Sequence, residues 1–127
     1  MGKTIDFAIG DIQTNAYVAV PEGSGPFPGV VVTFHMGGID SFTEWVVDDL
    51  AKNGYAAIAP NHYHAMPPGK TIADRKEFLD DDQMTLDLKT SADWLASQDS
   101  VDGDRLALIG HCMGGRMSFL GASTHAQ

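Results

Sequence analysis

Hydrophobic and polar positions along the chain change period several times, and each change marks an element. Ile5, Phe7 and Ile9 alternate with polar or small neighbours, Gly10 and Asp11 supply a tight turn, and "IQTNAYVAV" from Ile12 continues as a second strand. The chain therefore opens on a β-hairpin. After the loop "PEGSGPFPG", Gly29 to His35 reads "GVVVTFH", a β-branched run of the kind buried on both faces of a parallel sheet. It predicts a central strand. Ser41 and Glu44 are spaced as a capping box, Phe42, Val46 and Leu50 recur at helical spacing, and Gly54 follows as a stop, which predicts one helix. "YAAIAP", Tyr55 to Pro60, is the next strand. Met84, Leu88, Ala92 and Leu95 mark a second amphipathic helix with Trp94 and Leu95 turned to the core, and the acidic run "LDDDQ" suits its positive N-terminal end. Asp104 to Ile109 forms a short last strand, and from Met113 onward the pattern is helical again. Strand, helix, strand, helix, strand predicts an α/β fold with a parallel sheet.

Composition narrows the class. With 127 residues, 43% of them hydrophobic and 20% charged, the chain reads as a single globular domain large enough to bury a core. Eight basic against seventeen acidic residues leave a net charge of -9, which argues against nucleic acid and anionic membranes as partners. The one cysteine forms no internal disulfide, and the first twenty residues carry no long apolar core, so a cytoplasmic protein without signal or membrane span is expected. "MGKTID" lacks the Ser or Thr that a myristoylation signal needs at its sixth position.

That single cysteine lies in "LIGHCMGGRM", between Gly110 and Gly114. The spacing G-x-C-x-G is the cysteine form of a nucleophile elbow, a sharp turn from strand to helix at which flanking side chains would collide. Strand, Cys112, helix is the context such a turn requires, with Cys112 at the carboxyl end of a parallel strand and its backbone at positive φ. An inert core thiol beside a glycine-rich turn fits the same residues. His62 and His64, with His35, His111 and Cys112, contain no ligand pair at a zinc-ribbon or zincin spacing, so no metal and no other cofactor is expected.

Together "GVVVTFH", "GYAAIAPNHY" and "IGHCMGG", the last continuing to Gly115, resemble the dienelactone hydrolase family of the α/β-hydrolase fold, relatives of carboxymethylenebutenolidase. The resemblance implies hydrolysis of a small-molecule carboxylic ester or lactone through a cysteine nucleophile. Carried onto this chain, it makes Cys112 the nucleophile, Gly110 and Gly114 the elbow glycines, and the backbone amides of Met36 and Met113 the oxyanion hole. "HMGG" would equally serve as a plain glycine turn. Where family members carry a glutamate, this chain has His35, either an imidazole that favours the thiolate or a buried, satisfied histidine. Arg75 matches a basic residue that holds a substrate carboxylate, or is a solvated surface arginine. The family's triad aspartate and histidine follow the nucleophile on later strands, beyond Gln127, and His125 on the elbow helix is a poor substitute for them. The resemblance therefore implies a truncated α/β-hydrolase fold, a single partial domain over 1–127: an N-terminal hairpin, parallel β-α-β-α-β and the elbow helix, with the C-terminal half absent. Two functions are expected of such a chain. One is ester or lactone hydrolysis; the alternative is a non-catalytic truncated homologue acting by association with another polypeptide. The edge from Arg105 to Ile109, left without cover, would offer a surface for self-association.

Overall fold

The computed structural model describes residues 2–33, 39–61 and 81–110, together with Ala122. Five strands and two helices follow in the order β1 (Lys3–Ile9), β2 (Ile12–Ala19), β3 (Phe27–Thr33), α1 (Ser41–Lys52), β4 (Ala56–Pro60), α2 (Asp81–Ser97) and β5 (Val101–Gly110). They build one sheet ordered β1-β2-β4-β3-β5. β1 and β2 pair antiparallel from Lys3 opposite Val18 to Ile9 opposite Ile12, which leaves Gly10 and Asp11 as a two-residue turn. Gly10 adopts φ +60°, a left-handed value that a hairpin turn of this length demands and that glycine adopts without strain. β2 then joins β4 antiparallel, while β4, β3 and β5 run parallel.

Side-chain alternation on β3 divides the core. Val31 packs with Phe7, Ile9, Ile58, Met84, Leu88 and Leu95 on one face. Val30 and Val32 pack with Val46, Val47 and Ala51 on the other. Each helix thus covers its own face of the sheet, which is why the predicted valine run is buried from both sides. The expected face of α2 is confirmed: Met84, Leu88 and Leu95 are buried, and Ala92 and Trp94 pack against them.

Three local expectations change. The N-cap of α1 is Asp40, not Ser41: its carboxylate accepts the Thr43 amide at 3.1 Å, so the short acidic side chain one residue earlier takes the capping position. The core face of α1 is centred on Thr43, Val46, Val47 and Ala51, which places Phe42 on the flank, where it stacks against the exposed Trp45 with ring centroids 6.3 Å apart. β5 begins at Val101, because Phe27 pairs with Val101 before a register shift that ends at Gly29 opposite Leu106.

Candidate active site

In the sequence, the segments with candidate chemistry follow directly on the described parts of β3 and β5. These strands are neighbours, and their parallel register runs from Gly29 opposite Leu106 to Thr33 opposite Gly110. Their last described residues, Thr33 and Gly110, lie at the same level. The Thr33 hydroxyl is fully buried and donates to the Ile109 carbonyl at 3.1 Å, joining the two ends across a sequence separation of 76 residues. On the other side of β3, β4 ends at Pro60, and the next residue is tied back to the sheet where the Asn61 amide donates to the Asn15 carbonyl at 3.0 Å. The carboxyl ends of three parallel strands therefore share one edge. In open α/β sheets the crevice beyond that edge is where ligands bind.

Of the site residues read from the sequence, Gly110 is described: it is the last residue of β5, half-buried, beside Thr33. His35, Met36, Arg75, Cys112, Met113 and Gly114 lie outside the described residues, as do His62, His64, His111, Gly115 and His125. Among the described residues, no group of three or more His, Cys, Asp or Glu is placed to hold a metal ion, and no helix is long and apolar enough to cross a membrane.

Two polar groups went unremarked in the sequence pattern. Asp87 is fully buried on α2, where its carboxylate accepts from the Gln83 amide at 3.0 Å and its carbonyl accepts from the buried Ser91 hydroxyl at 2.8 Å. Tyr17 on β2 donates its hydroxyl to Asp48 on α1 at 2.9 and 3.1 Å to the two carboxylate oxygens, and the Gly2 amide donates to the same group at 2.9 Å. Burial, then the bond to Asp48, then the charges of Asp48 and Glu44 push the Tyr17 phenol up to about 12.

The model of the dienelactone hydrolase family matches residues 14–127. The chain belongs to that family. A carboxymethylenebutenolidase homologue of Yersinia pestis is 34% identical over 134 residues, an alignment covering 99% of this chain and 49% of the relative. A lactonase homologue of Bradyrhizobium is 32% identical over 126 residues, covering 91% of this chain and 51% of the relative. The chain spans about half the length of the curated relatives it matches. Among solved structures, a dienelactone hydrolase homologue from Klebsiella pneumoniae superposes with a TM-score of 0.82 at 29% identity, over 97% of this chain and 55% of that one. A dienelactone-hydrolase-like promiscuous phosphotriesterase from metagenomic libraries superposes with a TM-score of 0.83 at 26% identity, over 99% of this chain and 55% of its own. These neighbours identify the mixed sheet with its flanking helices as the α/β-hydrolase-like fold of dienelactone hydrolases.

Proposed function

We propose that this chain carries the nucleophile-bearing part of an ester- or lactone-hydrolysing dienelactone hydrolase site. One observation carries the reading: β3 and β5 are adjacent, parallel and in register as far as their last described residues, Thr33 and Gly110. His35 follows Thr33 by two residues and Cys112 follows Gly110 by two. Two residues span at most about 7 Å, so on this reading both lie near one edge of the sheet.

In this reading the Cys112 thiolate attacks the acyl carbon of an ester or lactone, and the carbonyl oxygen takes up the negative charge. The amides of Met36 and Met113 stabilise that oxyanion, an effect worth about 10²–10³ in rate per donor in other acyl-transfer enzymes. Collapse of the intermediate breaks the acyl–oxygen bond; the departing oxygen takes a proton from water and leaves as the alcohol of an ester or stays as the hydroxyl of an opened lactone, with a thioester on Cys112. Water then cleaves the thioester and restores the thiol. Gly110 and Gly114 give the sharp turn its room, the His35 imidazole favours the thiolate, and Arg75 pairs with a substrate carboxylate. No cofactor or metal takes part. The test is hydrolysis of a chromogenic ester by the chain and by Cys112→Ser: the account expects turnover that the substitution abolishes, and turnover unaffected by it would overturn the assignment.

A second reading rests on a separate observation. β5 is the last strand of the described sheet, its residues 103–107 are exposed, and Leu106 is 36% exposed. Such an edge offers free backbone donors and acceptors beside apolar side chains, a template for strand pairing with another polypeptide or a second copy. Sedimentation distinguishes the cases: association that Leu106→Lys abolishes supports the edge, and a monomer at all concentrations refutes it.

A further inference from the structure

Thr33 ends a strand in which Val30, Val31 and Val32 precede it. All four are buried, and Thr33 is fully so. Valine has the same shape as threonine and carries no hydroxyl to desolvate, so a polar group at this position is favoured only if it makes a bond worth having. The bond is present: the Thr33 hydroxyl donates to the Ile109 carbonyl at 3.1 Å, beside the last register pair described for β3 and β5. Gly110, opposite Thr33, has no side chain with which to pack laterally. Among the described residues, β3 is also the only strand beside β5. The last described residues of β5 are thus held sideways by β3, and the Thr33 hydroxyl adds a side-chain tether to Ile109.

We infer that Thr33 is a positioning residue for the reaction proposed above, fixing the spacing between the end of β3, which leads to the Met36 amide, and the end of β5, which leads to Cys112. The inference rests on that reading of the site. Thr33 touches no reacting atom; it acts through the separation of the two strand ends. A nucleophile and an oxyanion donor supplied by different strands work together only if that separation is held, since a displacement of about 1 Å can cost on the order of 10²-fold in rate.

The experiment compares wild type, Thr33→Val and Thr33→Ser, with Thr33→Ala, which also lacks the hydroxyl, used if Thr33→Val does not fold. Cys112 is the only cysteine, so alkylation by iodoacetamide reports on that one thiol, with or without turnover. Ester turnover and the alkylation rate as a function of pH are both recorded well below each melting midpoint. Loss of the hydroxyl is expected to lower kcat by about tenfold at nearly unchanged KM, or to change the alkylation profile by about threefold, while Thr33→Ser behaves as wild type. A purely stabilising bond would shift the melting midpoint and leave both readouts where they were. The inference is overturned if Thr33→Val matches wild type in alkylation and turnover, or if Thr33→Ser is impaired as much as Thr33→Val. Wild-type turnover that survives Cys112→Ser would instead defeat the reading of the site, and the alkylation profile would still decide the role of Thr33.

Discussion

Replacing Tyr17 by Phe removes one oxygen atom from the contact between β2 and α1. Tyr17 is 8% exposed, and its hydroxyl meets the Asp48 carboxylate at 2.9 Å while the Gly2 amide shares that acceptor. A hydrogen bond to a charged acceptor contributes about 1.5–3 kcal/mol, so the variant should be destabilised by that amount at neutral pH. The phenol also ties stability to pH. Its value in the fold is pushed up to about 12 from 10.0, because burial, the bond to Asp48 and the neighbouring negative charges all oppose the phenolate. A raised value in the folded state means that the contribution is fully present below pH 10 and is lost as pH rises from 10 to about 12. Over that window the loss amounts to roughly 2–3 kcal/mol, and about half of it is spent by pH 11. Urea denaturation of wild type and Tyr17→Phe at a series of pH values isolates the effect, since every other side chain is common to both proteins. The stability gap should be constant up to about pH 10 and close above it. A gap that stays constant through that range, or a variant as stable as wild type at neutral pH, would refute the assignment.

Leu88 is 1% exposed at the centre of the face that α2 lays on the sheet. Leu88→Ala should cost about 2–5 kcal/mol in chemical denaturation, and a loss below 1 kcal/mol would mean that the two surfaces are not packed as described. Asp40→Ala removes the cap on the Thr43 amide and should cost about 0.5–2 kcal/mol, whereas Ser41→Ala should cost much less if Asp40 is the N-cap.

The order of elements was legible in the sequence because each announces itself locally. The alternation of Ile5, Phe7 and Ile9, the valine run of β3 and the spacing of Met84, Leu88 and Leu95 all report which face is buried, and burial follows them. What escaped depends on contacts distant in sequence. Phe42 has helical spacing with Val46 and Leu50, yet the sheet selects the stripe through Thr43, Val46, Val47 and Ala51, and no local rule decides between overlapping stripes. β5 extends back from Asp104 to Val101 through an aspartate and a glycine that disfavour a strand, because pairing with Phe27 overrides propensity there. Thr33 reads as one more β-branched strand residue until Ile109 is placed beside it, and Tyr17 reads as an ordinary core aromatic until Asp48 arrives from the helix. For the candidate site, the glycines around Cys112 suggest the chemistry proposed, and the fold supplies the adjacency of β3 and β5, which no local pattern establishes. Gly110 is where the two meet: it is the first glycine of the G-x-C-x-G spacing and the last described residue of β5.

The central claim, that Cys112 is the acylated nucleophile, is tested most directly by quenching the chain with acid during reaction with a chromogenic ester and locating the added mass by peptide mass spectrometry. The account predicts one acyl group on the peptide containing Cys112, formed at the rate of alcohol release and absent from Cys112→Ser. Release of the alcohol with the acyl group on another residue, or at an undiminished rate in Cys112→Ser, would contradict it.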